Sequence, residues 1–285
     1  MNIVFVILHY KTHEDTIQCV ESIVDKIDTD DYKIVIVDNA SNNGSNEELV
    51  QHYRMHDRIT IIQNNSNLGM ARGLNVGIRY ALEHLNPRFI AAINNDTCLL
   101  DSDFYKVLNR KFEQYHFAVL GPMIITRDGY CNVNPIRNTV RGRDEIKKSI
   151  ARYQKLIRLC NLNLIGLYNF LSSIKKKKAI DKTCHLEDRL DFKLHGSFWV
   201  FSSTYFEYFD GLDDSTFLYG EEDILYLHII KNGLHTLYTP DIKIFHKEDS
   251  STNKVYATKK EKVKFISENA IKSLNIYLAL LDKYD

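Results

Sequence analysis

Four short runs of apolar, mostly β-branched residues open the chain, at Ile3 to Leu8, Lys33 to Val37, Ile59 to Gln63 and Phe89 to Ile93. Each is followed by polar turn residues, and this length and punctuation predict buried strands rather than helices. Between them apolar positions recur with helical spacing, over Thr16 to Ile27, Asn46 to Tyr53 and Met70 to Leu85. In the first of these, Ile17, Val20, Ile23, Val24 and Ile27 share one face. Strands alternating with helices predict βαβ units with right-handed crossovers, hence a Rossmann-like, doubly wound α/β sheet, mostly parallel and flanked by helices.

The pattern then changes. A helix to about Tyr115 is expected after Asp101, followed by a strand around Phe117 to Leu120 and a Gly-Pro turn at Gly121-Pro122. Helical apolar spacing returns from Asp144 to Lys178, now with basic residues between. Later come a strand at Phe198 to Phe201, a turn-rich stretch at Asp210 to Ser215, and a helix from about Glu221 to Asn232 closed by Gly233. The run Ile242 to Phe245 ends on His246, and the tail from Lys259 to Leu281 reads as a helix.

In doubly wound sheets, ligands gather at the carboxyl ends of strands. Those ends here read HYKT, DNAS, NNSN and NND, all polar and all expected on one edge. The last, in AINNDT, delivers Asn95 and Asp96 from a buried strand; a carboxylate there suits a hard divalent cation that also binds diphosphate oxygens. Asp38 follows VIV, where a carboxylate can accept a pyrimidine imide N–H or can equally close an Asx turn. Gly69, Gly73 and Gly77 fall on one helical face, which permits close approach of a backbone or a ligand, with Arg72 and Asn75 beside them. Glu221, Glu222 and Asp223 open a helix; acids favour such ends, and one facing a pocket could act as a general base.

Composition sharpens this reading. The chain has 285 residues, 44% of them hydrophobic and 26% charged, the composition of a soluble protein and enough for one large domain, or one domain with a substantial appendage. The zero formal charge conceals a basic segment: thirteen cations against three acids between Arg137 and Lys182 leave it about ten units positive. The five scattered cysteines form no C-x-x-C pair, so no disulfide framework or zinc site is expected and a reducing cytosol fits. Ile3 to Leu8 is too short for a signal sequence and no run reaches the ~20 apolar residues of a spanning helix, so a cytoplasmic location is expected.

Taken together, VILHYK, VIVDNASNNGS, NNSNLGMARGLNVGI, AINNDT, FDGLDDSTFLYGEED and IFHKED resemble, in that order, the family 2 glycosyltransferases of GT-A fold, particularly bacterial enzymes of capsule, O-antigen and cell-wall polysaccharide assembly. The resemblance implies a catalytic domain over residues 1–255, with a nucleotide-binding half at 1–130 and an acceptor-binding half at 190–255 around a basic insert at 137–182, and a helical tail at 256–285. It implies that Tyr10 and Asp38 hold the base of a UDP- or dTDP-sugar, with Gly69, Arg72 and Asn75 nearby and Asn95 on the ribose. Asp96 and His246 would bind Mn(II) or Mg(II); the family's Asp-x-Asp stands here as Asn-Asn-Asp. The catalytic base of an inverting transfer would be Glu222, counting back from Gly233, with Asp223 the alternative.

The insert would suit an anionic membrane surface bearing polyprenyl-linked acceptors, or be a solvated appendage or a dimer contact; nucleic acid is not expected, because stacking aromatics are sparse between the charges. Two rival classes fit the sequence less well. A nucleotidyltransferase would carry a glycine-rich loop after the first strand, and HYKTHED has no glycine. A non-catalytic GT-A-like membrane or assembly module rests only on the missing first acid of the metal motif.

Overall fold

The computed structural model describes residues 1–166, 183–248 and 258–284. The first third alternates as the apolar pattern requires: β1 (Ile3–His9), α1 (His13–Lys26), β2 (Tyr32–Asp38), α2 (Ser45–Tyr53), β3 (Ile59–Gln63), α3 (Met70–His84) and β4 (Phe89–Asn94). Along β1, Ile3, Phe5 and Ile7 pack toward α1, α2 and the next helix, while Val4 and Val6 pack toward α3. This two-residue alternation, with both faces apolar, is what a sheet covered on both sides demands.

Next come β5 (Thr97–Leu99), α4 (Phe104–Tyr115), β6 (Val119–Thr126), α5 (Arg143–Asn161), β7 (Arg189–Leu190) and β8 (Phe198–Ser202). The chain closes with α6 (Ser203–Phe206), α7 (Glu221–Lys231), β9 (Thr236–His246) and α8 (Lys259–Tyr284). The sheet order is β3-β2-β1-β4-β8-β6-β9-β5, with β7 on β9. Its first four strands are parallel, as expected. Beyond them it is mixed: β8 runs antiparallel to both β4 and β6, as do β5 and β7 to β9, and only β6 and β9 run parallel. The expectation of a mostly parallel sheet therefore holds for the first half and gives way to a mixed sheet in the second.

Two local expectations are corrected. Gly121-Pro122 is not a turn but lies within β6, where the register against β9 shifts between Pro122 and Met123. A bulge is where a strand tolerates a residue without an N–H. Cys131 and Cys184, expected to be reduced, form a disulfide with Cα atoms 5.1 Å apart across a 53-residue separation. It brackets the basic insert, of which α5 is the described helix; Lys175 to Lys178 lie outside the described residues.

The C-terminal helix packs on its own chain. Leu274, Tyr277 and Leu281 of α8 meet Ile146 of α5 and Ile224 and Leu227 of α7 in a third apolar cluster. The late helix α7 ends as the sequence implies, with Gly233 at φ 68° and the Leu234 amide donating to the Ile229 carbonyl at 3.0 Å. No helix among the described residues is long and apolar enough to cross a membrane.

Candidate active site

Parallel pairing places the polar ends of β1, β2 and β4 together, His9 opposite Asp38 and Leu8 opposite Asn94. Antiparallel β8 then brings His195-Gly196-Ser197 against β4, where the Asn94 amide donates to the Ser197 carbonyl at 2.9 Å. β9 ends beside β5, so that Thr97 pairs with His246. Residues from four distant parts of the sequence thus share one edge.

At its centre Asp96 Oδ1 lies 3.3 Å from His246 Nε2, both residues being buried. His246 Nδ1 is buried with no hydrogen-bond partner among the described residues. Leaving a buried imidazole half satisfied is costly, and a carboxylate beside it makes a hard-to-borderline donor pair that fits Mn(II) or Mg(II). Among the described residues no third His, Cys, Asp or Glu completes the group. A cation held there would draw most of its shell from water and substrate oxygens.

The acids opening α7 divide sharply. Asp223 is buried and neutralised twice, by Lys193 Nζ at 2.6 Å and Arg141 Nη1 at 2.9 Å. Glu221 is buried, accepts from Thr216 Oγ1 at 3.2 Å, and has its pKa raised by burial. Glu222 is half-buried, has no ion pair among the described residues, and accepts the Gly196 N–H on Oε1 at 2.7 Å. The helix entry is built for this placement: Tyr219 and Gly220 both take positive φ, 68° and 98°, and an ordinary residue rarely does so without cause.

Glu222 borders a cavity of about 380 Å³ whose far wall is Ser149 and Tyr153 of α5 with Ala270 and Leu274 of α8. Asn94 and His195 also line it, so the cavity reaches from the carboxylate toward the Asp96 corner. The His195 ring sits 5.7 Å from that of His246, and burial lowers its pKa.

Several residues expected to touch a nucleotide are otherwise engaged. Asp38 is fully buried and accepts from both the hydroxyl and the amide of Ser41, the latter at 3.2 Å, so it closes an Asx turn. Asn75 is buried and clamps Leu212 in both directions, its amide donating to the carbonyl and its oxygen accepting the N–H, each at 2.8 Å. The Asn95 amide donates to Thr12 and Thr16, tying β4 to the first loop. Arg72 is exposed and donates to the Asp214 carbonyl at 2.7 Å. Tyr10 stays half-buried on the rim with Lys11 Nζ 5.1 Å from its ring centroid.

The glycine row serves packing. A Cβ on Gly73 would meet Leu8 Cδ1 at 2.6 Å and one on Gly77 would meet Val6 Cγ1 at 2.4 Å. At Gly69 it would lie 1.9 Å from the Phe217 carbonyl oxygen, which accepts the Met70 amide at 3.0 Å. Sequence reasoning missed Arg141, Lys193 and His195; only the small residues Gly196-Ser197 just before an apolar strand marked the last of these.

The glycosyl transferase family 2 model matches residues 4–180. The chain belongs to that family. Among curated proteins this family 2 chain is 26% identical over 217 residues to the low-salt glycan biosynthesis hexosyltransferase Agl10 of Haloferax volcanii. The match covers 76% of the chain, which spans 58% of that relative's length. The architecture is the GT-A fold of solved glycosyltransferases. It superposes on TarS residues 1–349 of S. aureus with a TM-score of 0.54 at 12% identity, over 98% of this chain and 72% of that one. It superposes on GalNAc-T7, solved with UDP, GalNAc and Mn2+, with a TM-score of 0.58 at 14% identity, over 87% and 44%.

Proposed function

We propose that this glycosyltransferase moves a hexosyl group, with inversion, from a UDP- or dTDP-sugar to a glycan or lipid-linked acceptor of a surface polysaccharide. The observation that carries the reading is the contrast between adjacent carboxylates. Asp223 is locked between two cations, whereas Glu222 faces the cavity and, among the described residues, carries a backbone amide and no ion pair. A carboxylate so placed can accept the proton of an acceptor hydroxyl as that oxygen attacks the anomeric carbon.

Donor binding falls to the strand ends, with Tyr10 on the rim beside the nucleobase. Asp38 and Asn75 act from beneath, holding the Ser41 and Leu212 loops in shape. Asp96 and His246 would hold Mn(II) or Mg(II), which when bound supplies positive charge to the departing diphosphate. Asn95 fixes the loop after β1, leaving the ribose to contacts along that edge.

Calorimetric titration with UDP and with dTDP, each with and without Mn(II), tests this. Saturable binding of one nucleotide that tightens with metal is expected. A folded protein that binds neither would refute the reading.

A further inference from the structure

The basic helix α5 is two-sided. At about 3.6 residues per turn, Ile146, Ile150, Tyr153 and Cys160 project to one side, the first three into the cluster with α7 and α8, with Tyr153 also lining the cavity and Cys160 buried. Lys147, Lys148, Arg152 and Arg158 project to the other and are exposed. Of the two acids on the helix, Glu145 is drawn away by Arg137 and Arg141, leaving Asp144 against this face.

Leu162, one residue past the helix and 67% exposed, continues the same side, and Leu164 is 43% exposed. The start of α8 meets this end: Lys260 Nζ bonds Asn163 Oδ1 at 2.5 Å, and Lys259 is exposed beside it. A flat stripe of cations ending in two bare leucines matches a planar, diffusely negative surface with an apolar interior.

We propose that this face of α5, with Leu162 and Leu164 at its end, docks on an anionic lipid bilayer. The cavity lies on the opposite side of the same helix, so docking holds it about one helix diameter, ~10 Å, above the lipid headgroups. That height matches an acceptor sugar carried on a membrane-embedded lipid. The acceptor clause rests on the transferase reading above; the docking clause does not.

Flotation of the full chain with vesicles of phosphatidylcholine alone, or mixed with phosphatidylglycerol, tests it at low and high salt. Binding is expected only to the mixed vesicles, and should weaken with salt. The combined Lys148→Gln, Arg152→Gln and Arg158→Gln variant should bind on the order of 100-fold more weakly, at about fivefold per cation. Leu162→Ser with Leu164→Ser should bind more weakly while keeping the salt dependence.

Equal binding of wild type and triple variant, no binding to mixed vesicles, or a salt-sensitive self-association that the triple variant abolishes would each overturn the proposal. UDP titration of the triple variant separates the two readings, since nucleotide affinity should be unchanged whether or not vesicles bind.

Discussion

Lys193 donates to Asp223 across 2.6 Å, thirty residues apart in the chain and both buried. This contact separates the acids at the head of α7: Asp223 is held by Lys193 and Arg141, whereas Glu222 has no ion pair among the described residues and borders the cavity.

The two neighbours should therefore fail differently. Glu222→Gln keeps its bond to the Gly196 amide and should leave the melting temperature nearly unchanged while turnover falls about 100- to 10,000-fold. Asp223→Asn strands a buried lysine and should cost about 3 kcal/mol of stability, read by denaturant titration. Normal turnover by Glu222→Gln would remove the base assignment.

The metal corner makes a separate prediction. Asp96→Asn and His246→Gln should each abolish the tightening of nucleotide binding by Mn(II) while leaving the metal-free affinity close to wild type. An undiminished Mn(II) effect in both variants would place the cation elsewhere.

Acid should loosen the fold through His9, which is wholly buried between Thr16 Oγ1 at 2.7 Å and Ser45 Oγ at 2.9 Å. Burial lowers its pKa from 6.5 to about 4. A histidine whose pKa falls on folding adds stability above its unfolded pKa, and that stability is lost as pH drops from 6.5 toward about 4. The loss is on the order of 3 kcal/mol. Asp38, 3.8 Å away with its pKa raised by burial, works in the opposite sense and softens the slope. Urea midpoints across this range should fall for wild type and stay flatter for His9→Gln.

Reducing the Cys131–Cys184 bond frees a loop with a 53-residue separation between its ends. Chain-entropy arguments put the lost stabilisation at about 4 kcal/mol. Reductant, or the double change Cys131→Ser and Cys184→Ser, should lower the melting temperature; identical melting with and without reductant would show that the bond contributes nothing.

Much of this molecule could be read from its sequence, and the exceptions share a cause. Asp96 and His246 stood out because each ends an apolar run, and strand ends converge in this topology. The parallel half was legible for the same reason, its period being local. The bonds of Asp38 to Ser41 and of Asn75 to Leu212 were not legible, because an amide or carboxylate looks the same in one letter whether it faces solvent or clamps a turn. Leu212, the partner of Asn75, is 137 residues away.

The different surroundings of Asp223 and Glu222 were not legible, because Arg141 and Lys193 reach Asp223 from other elements. Pro122 read as a turn because its missing N–H forbids regular pairing, and only the register shift against β9 reveals the bulge that accommodates it. The partnering of two cysteines so far apart is likewise a property of the folded chain.

The insert leaves and rejoins the body at nearly one point, where the Cα atoms of Cys131 and Cys184 stand 5.1 Å apart. The segment between them therefore departs and returns without dragging any strand out of alignment. Because α5 also forms a wall of the cavity, the piece so tethered is one that shapes whatever enters there. Such a cassette could be exchanged between relatives as a graft, altering recognition while the machinery of transfer stands still.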